Sequence, residues 1–130
     1  MIYTATQINT SPTIVAKAGA SLDKVDVRGK AIKFDASGDA VLAGAGEVAV
    51  GIAILTNGET AVAGEDIDIQ VKEIGVALAA DVIKAGDELA ADANGAVKTA
   101  AEGQFVIATA LEPAAAAGKY IRVQITKYKA

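Results

Sequence analysis

The chain has 130 residues, a mass of 13.0 kDa, a formal net charge of −4 and a sequence pI near 4.7. This length suits one domain with one core, and the acidic balance argues against a nucleic-acid partner, because phosphate binding needs clustered lysine and arginine. The lack of cysteine and histidine excludes disulfides, thiolate metal sites and Ser-His triads, and no apolar run is long enough to span a membrane.

Residues 1–24 are predicted to form an extended N-terminal arm, followed by a single β domain over residues 25–130. Polar side chains alternate in this arm with isolated apolar ones, and no tight turn pairs it with a neighbouring strand. A disordered terminus and a first strand of the same sheet are the alternatives. The segment also lacks the basic start and apolar run of a secretory signal. Its candidate contacts with another chain are the apolar residues Ile2, Tyr3, Ile8, Ile14 and Val15.

From residue 25 onward, apolar side chains recur with period two, which predicts strands. Residues 66–71 alternate strictly, and residues 120–126 place Ile121, Val123 and Ile125 on one face. Further strands are predicted at residues 25–27, 32–34, 48–55, 74–78 and 105–108. This succession predicts an all-β fold, either an antiparallel barrel or a sandwich.

Turn residues separate these predicted strands. Asn57-Gly58 and Asn94-Gly95 favour tight hairpins, in which both central residues need positive φ. The alanine-rich segments 77–91 and 108–117 leave room for at most one or two short helices.

The domain contains a weak internal duplication, with halves at about residues 28–71 and 85–125. Residues 29–41 align with residues 86–97 if one residue is gained or lost after the second glycine, and Asp35 then matches Asp92 at an offset of 57 (92 minus 35). Residues 63–71 align with residues 117–125 at an offset of 54 (117 minus 63). Glycines, turn acids and branched residues repeat, which indicates a duplicated β unit.

The chain shows none of the common motifs of active sites. It lacks the nucleophile elbow, the Walker loop and the dinucleotide fingerprint. The carboxylates of Asp66 and Asp68 fall on the solvent face of their strand, without the aromatic platforms of a carbohydrate cleft. We therefore predict no catalytic residue, no metal site and no cofactor. Four basic residues are predicted to lie on the solvent-exposed face of a terminal strand and not to form a polyanion site. They are Lys119, Arg122, Lys127 and Lys129.

One segment suggests a carrier function. Lys84-Ala85-Gly86-Asp87-Glu88-Leu89 is similar to the glycine-aspartate turn of biotinyl and lipoyl domains. Those domains present a modified lysine at a hairpin tip, whereas Lys98, the nearest candidate here, follows the Asn94-Gly95 turn. A small β carrier or carbohydrate-binding module of a larger bacterial complex remains the alternative function.

The order of motifs along the chain resembles a known family. The motifs are Val50-Gly51-Ile52-Ala53, Ala63-Gly64-Glu65, Ile74-Gly75-Val76-Ala77, Ala85-Gly86-Asp87-Glu88-Leu89, Asp92-Ala93-Asn94-Gly95-Ala96-Val97, Ile107-Ala108-Thr109-Ala110-Leu111-Glu112 and Ala117-Gly118-Lys119. Over about residues 25–126 they resemble the small head-decoration, or capsid cement, proteins of tailed bacteriophages.

This resemblance implies an all-β, non-enzymatic structural protein that binds the major capsid protein on the outer surface of the assembled phage head and stabilises it. It further implies a virion component made in the cytoplasm of the bacterial host. A homo-oligomer is expected, with a trimer favoured, and neither nucleic acid nor membrane is an expected partner. The apolar residues of the arm are then candidate contacts with the capsid or between subunits.

Overall fold

The computed structural model describes residues 11–55, 57 and 60–129. Within these residues the chain forms ten β-strands and a single-turn 3-10 helix, Ala20–Leu22. The strands are β1 Thr13–Lys17, β2 Ala31–Phe34, β3 Ala40–Leu42, β4 Gly51–Ala53, β5 Asp66–Gln70, β6 Ile74–Leu78, β7 Glu88–Ala91, β8 Val97–Thr99, β9 Phe105–Ala110 and β10 Tyr120–Lys129. The all-β prediction is confirmed.

The strands form two five-stranded antiparallel sheets with the same internal order. The first sheet runs β1-β5-β4-β2-β3 and the second runs β6-β10-β9-β7-β8, so each strand of the second corresponds to the strand five places earlier. We call residues 13–71 the first half and residues 74–129 the second half. The repeated topology shows the duplication that the sequence predicted.

Strand pairing defines which residues of the halves are equivalent. Ile32 lies opposite Gly51 as Leu89 lies opposite Ala108, which is an offset of 57 (89 minus 32). The same offset holds across the turn after β2, so the predicted one-residue insertion there is wrong. Ala40 corresponds to Val97, and both side chains are fully buried.

The offset falls to 54 (123 minus 69) after β4 and β9. Ala53 pairs with Ile69 in the first half, and Ala110 pairs with Val123 in the second. The three-residue difference therefore lies in the surface connections that precede β5 and β10, where insertions are tolerated.

The duplication begins earlier than the sequence suggested, because β1 is the counterpart of β6. Ala16 lies opposite Ile67 as Ala77 lies opposite Ile121, an offset of 61 (77 minus 16). Residues 13–17, which belong to the predicted arm, thus form a first strand of the same sheet, which was one of the alternative predictions. Leu22 is buried in the core as well. Residues 1–10 of that arm lie outside the described residues.

Each sheet curls until its edge strands meet. A parallel bridge joins Ala18, just after β1, to Ala40 of β3, and the N–H of Gly19 donates to the Ala40 carbonyl at 2.8 Å. Ala79 and Val97 repeat this bridge in the second half. The fold is therefore a pair of small curled sheets.

The buried side chains form two clusters where one core was predicted. One fills the first half and includes Leu22, Val27 and Ile69. The other fills the second half and extends into the first through Ala31, Ala43, Ala49 and Ile52. All buried side chains among the described residues are apolar. The second cluster thus also holds the two halves together.

The secondary structure differs from the prediction at residues 25–27 and in the alanine-rich segments. Residues 25–27 form no strand, although Val27 is fully buried. The alanine-rich segments form strands and turns instead of helices. Many of their alanines, such as Ala77, Ala90 and Ala108, pack in the core, where burial outweighs helix propensity.

The Asn94-Gly95 turn does join two strands, but it needs only one residue at positive φ. Gly95 has φ 83°, whereas Asn94 is outside the left-handed region. The N–H of Asp92 donates to the Ala96 carbonyl at 2.7 Å, which closes a three-residue loop. This is the hairpin in which a type I turn is followed by a left-handed glycine.

Candidate functional site

An apolar strip crosses the outer face of β6 and β10. Alternation turns the small residues Gly75 and Ala77 inward and turns Ile74, Val76 and Leu78 outward. Across the pairing, the outward residues of β10 are Gln124, Arg122 and Tyr120. We call these six outward residues the β6–β10 face. Ile74 is 58% exposed and Tyr120 is 42% exposed, so the face offers large apolar side chains to solvent.

The strip continues into an open groove where the two halves meet. The groove has a volume of about 280 Å³ and is lined by Ile54, Leu55, Gln70, Ile74, Gly75 and Val76. The side-chain N–H groups of Gln70 donate to the carbonyls of Lys72 at 2.9 Å and Ile74 at 2.8 Å. These bonds fix the groove wall, and the missing Cβ of Gly75 leaves space for the Gln70 amide.

An ion pair fixes the position of Arg122, the charged residue of the β6–β10 face. Glu112 accepts a hydrogen bond from the N–H of Arg122 at 2.9 Å, and its other oxygen lies 3.5 Å from Arg122 Nε. Lys127 reaches away and donates to the Val50 carbonyl at 3.1 Å. Arg122 and Lys127, two of the four basic residues near the C-terminus, are thus engaged with different partners.

The equivalent face of the first half carries the opposite charge. Thr13, Val15 and Lys17 of β1 lie opposite Gln70, Asp68 and Asp66 of β5. At an offset of 54, Glu65, Asp66 and Asp68 stand where the second half has Lys119, Tyr120 and Arg122. The duplicated scaffold thus presents an acidic face on the first half and an apolar face with Arg122 on the second half.

Among the described residues, two carboxyl groups have pKa values below the ordinary range, and both are ion-paired. The guanidinium of Arg28 donates to both oxygens of Asp26 at 3.0 and 2.9 Å and lowers the pKa of that carboxyl. Lys33 donates to both oxygens of Glu47 at 2.9 Å, and this hydrogen bonding lowers the pKa of Glu47. Neither carboxyl has the raised pKa of a general acid.

The structure places the predicted contact residues in different environments. Val15 is 57% exposed on the outer side of β1, whereas Ile14 turns inward and packs against the core of the first half. Ile2, Tyr3 and Ile8 lie outside the described residues. The sequence analysis missed Ile74 and Tyr120, although strict alternation in residues 74–78 places Ile74, Val76 and Leu78 on a shared face.

Other functional alternatives find little support in the geometry. Lys98, the candidate carrier lysine, lies within β8 opposite Ala90 and not at the hairpin tip. Residues 11–55, 57 and 60–129 hold no group of three or more acidic side chains placed to share a metal ion. In that same part of the chain, no helix has the length and apolar character needed to cross a bilayer.

Comparison with known proteins places these observations in a family. The family model described as phage cement protein matches residues 28–125. Among solved structures, the chain is similar to the head fiber gp8.5 N base in bacteriophage phi29, with 17% identity, a TM-score of 0.67 and coverage of 91% of this chain and 98% of that chain. At this identity the likeness concerns the fold. No curated protein matches the chain.

Proposed function

We propose that this chain, which belongs to the phage cement protein family, binds the outer surface of an assembled phage head and stabilises it. Family membership makes it a structural protein of the phage capsid, a class that is generally non-enzymatic. The proposed partner is the major capsid protein, and the proposed location is the outside of the virion after synthesis in the host cytoplasm.

The observation that carries this proposal is the family match, which covers residues 28–125 and so most of both repeat halves. The β6–β10 face supports it as a docking surface, because its exposed apolar residues adjoin an Arg122 that Glu112 holds in position. Desolvating one such large apolar side chain contributes about 1.5–3 kcal/mol. Burial of several such side chains would offset part of the entropy cost of docking.

Stabilisation of the head follows from mass action. A ligand that binds the assembled shell and not its dissociated subunits raises the stability of the shell by an amount set by its concentration relative to its Kd. Because a head offers many equivalent sites, modest affinity at each site adds up over the particle. No chemistry at the site is needed.

The docking face is tested by co-sedimentation of the protein with undecorated, expanded heads. We expect Ile74→Asp to lower the bound fraction, because a carboxylate would have to be buried against the shell. Val82→Asp is the matched control, since Val82 is equally exposed at 58% and lies on a different segment. Equal binding of both variants and the unmodified protein would remove the β6–β10 face from the proposal.

A truncation tests the predicted anchors Ile2, Tyr3 and Ile8. It has to be shorter than the predicted arm of residues 1–24. Residues 13–17 form β1 and Ala18 is buried, so deletion of residues 1–20 would damage the fold itself. Deletion of residues 1–10 removes the three anchors and keeps β1. We expect weaker binding to heads, and undiminished binding would show that these residues contribute no anchoring.

We also propose that the chain forms a homo-oligomer, with a trimer favoured. Aromatic residues make up only 4% of the chain, and alanine supplies much of the buried surface. A core of small side chains gains little from burial within one copy. Contact between copies would add to that stability, and light scattering of the purified protein measures the number of copies directly.

A further inference from the structure

Arg122 is the one charged residue of the β6–β10 face. Alternate pairs of an antiparallel ladder are hydrogen-bonded, and the pairs between them bring their side chains closer together. The N–H of Ala79 donates to the Lys119 carbonyl at 2.8 Å, so the pair of Val76 and Arg122, three positions further along, is of the closer kind. The other residues of the face are also uncharged: Ile74, Leu78, Tyr120 and Gln124.

The guanidinium of Arg122 leaves most of its hydrogen-bonding capacity unused. A guanidinium has five N–H donors. Among the described residues, its ionic contact joins Nε to a Glu112 oxygen at 3.5 Å, which is longer than an ordinary N–H···O bond. Neither terminal amino group of Arg122 donates a hydrogen bond within that part of the chain, and 64% of the side chain is exposed.

Arg28 shows how the same chain saturates an arginine. Its Nε and one terminal nitrogen donate to the two oxygens of Asp26 at 3.0 and 2.9 Å. Two parallel hydrogen bonds of this kind are the strong mode of contact between arginine and a carboxylate. Arg122 has no such contact with Glu112.

Glu112 positions Arg122 without saturating it. One Glu112 oxygen accepts from the backbone N–H of Arg122 at 2.9 Å, and the N–H of Leu111 donates to the Arg122 carbonyl at 2.9 Å. The carboxylate is therefore tied to the backbone of β10 and offers the guanidinium only its second oxygen. The result is a positioned cation with terminal donors to spare.

A partner that covers this face has to supply an acceptor for those donors. Burial of a guanidinium under an apolar surface removes its water without replacing the hydrogen bonds, which is unfavourable. None of the six residues of the face is acidic, so the compensating charge has to come from the partner. Because the side chains around Arg122 are apolar or neutral, the matching surface around that charge is apolar as well.

We propose that the major capsid protein meets the β6–β10 face with an apolar patch that contains one aspartate or glutamate, and that Arg122 binds this carboxylate through its two terminal amino groups. The inference rests on the proposed function and names the chemistry of its partner. Charge complementarity selects this occupant, since a basic or wholly apolar patch would leave the Arg122 guanidinium buried without an acceptor. Arginine and tyrosine are also the residues that most often dominate binding energy at interfaces.

Binding isotherms with undecorated, expanded heads test this pairing. We expect Arg122→Gln to raise the Kd by roughly tenfold, because it removes a charge-assisted, bidentate contact. The variant keeps the backbone N–H that donates to Glu112, so it should fold. Lys119→Gln is the matched control, since it removes the same charge at an exposed residue that is not part of the face. We expect it to change the Kd by less than about twofold.

The possible failures of this experiment are distinguishable. Equal Kd values for Arg122→Gln and the unmodified protein would overturn the inference and leave head binding itself intact. Failure of the unmodified protein to bind heads would instead remove the proposed function, and the inference with it.

Two further variants distinguish contact with the head from support of the fold. Arg122→Lys keeps the charge without the planar fork, so we expect its Kd to stay raised by roughly threefold or more. Glu112→Gln keeps an oxygen for the Arg122 N–H and removes the competing carboxylate, so we expect tighter binding at low salt. If Glu112→Gln weakened binding as much as Arg122→Gln does, the ion pair within the chain would be the cause and the proposal would be wrong.

A covalent capture identifies the partner group. Arg122→Lys with Glu112→Gln places an amine at the docking face and removes the neighbouring carboxylate. A water-soluble carbodiimide activates a carboxylate, the amine attacks it, an amide bond forms, and the activated oxygen leaves with the reagent as a urea. We expect mass spectrometry of sedimented particles to find position 122 joined to an aspartate or glutamate of the major capsid protein. Coupling only to other copies of this chain, or none at position 122 in particles that carry the variant, would contradict the proposal.

Discussion

Glycine and alanine place the two halves within backbone hydrogen-bonding distance. A Cβ on Gly29 would lie 2.8 Å from the backbone nitrogen of Leu78 and 3.0 Å from the ring of Tyr120, so no larger residue fits there. Ala31 is fully buried at the same contact. The sequence indicated Gly29 and Ala31 only as members of the repeated segment 29–41, because close approach between distant segments leaves no local pattern.

Substitution of the two equivalent turn glycines, Gly38 and Gly95, distinguishes the cost of backbone strain from the cost of disturbing the contact between the halves. A Cβ on Gly95 would lie 3.2 Å from the Ala31 carbonyl and 3.2 Å from Leu42, whereas a Cβ on Gly38 meets nothing within 4 Å. Both residues have positive φ, so alanine costs about 1 kcal/mol at either site. We expect Gly95→Ala to lower the free energy of unfolding by roughly 1–3 kcal/mol more than Gly38→Ala.

Urea unfolding of both variants measures this difference. Equal losses of unfolding free energy would show that the Gly95 turn is not tightly seated on the first half.

The Asp26–Arg28 pair makes a small, pH-dependent contribution to stability. Hydrogen bonding by Arg28 lowers the folded-state pKa of Asp26, so the stabilisation is present above the unfolded pKa of about 3.9 and is lost as pH falls through the lower folded value. Because both side chains are partly exposed, we expect Asp26→Asn to cost less than about 1 kcal/mol at pH 7. Thermal unfolding from pH 7 down to pH 2 should show that the variant and the unmodified protein converge, and a constant gap would contradict this cause.

For individual elements, the sequence predicted strands correctly where one face of the strand is exposed to solvent. β5 and β10 alternate strictly, and both were predicted. β7 was not predicted as a strand, because Leu89, Ala90 and Ala91 are all buried and leave no alternation to detect. The β6–β10 face was missed for a related reason: β6 turns its small residues inward and its large ones outward, which reverses the usual pattern.

The structure assigns β1 to the fold, which leads to a prediction about truncation. Deletion of residues 1–10 should leave the unfolding midpoint nearly unchanged, because β1 and Ala18 remain. Deletion of residues 1–18 removes the partner of β5 and the bridge to Ala40, and we expect a loss of about 2–5 kcal/mol. Circular dichroism during thermal unfolding distinguishes the two, and equal midpoints would mean that β1 adds nothing to the sheet.

At the scale of the whole molecule, duplication preserved the scaffold while the surfaces diverged. The halves share strand order, turn glycines and the bridge that curls each sheet. Their exposed faces differ in charge, with Asp68 in one half and Arg122 in the other. The two halves therefore present different surfaces on a shared scaffold.

The period-two alternation predicted the all-β fold, the internal alignment predicted the duplication, and the order of motifs predicted the family. These patterns were not enough to locate the surfaces, since the surfaces depend on which residues the pairing brings together. Ile74 and Tyr120, for example, lie on one face only because β6 pairs with β10.

The central claim is that this chain decorates and strengthens a phage head. The direct measurement is sedimentation of the protein with undecorated, expanded heads of its own phage, combined with the temperature at which those heads rupture. Saturable binding at a fixed ratio to the major capsid protein, with rupture at a higher temperature, is the result we expect. Absence of binding to heads at every stage of maturation would contradict the claim.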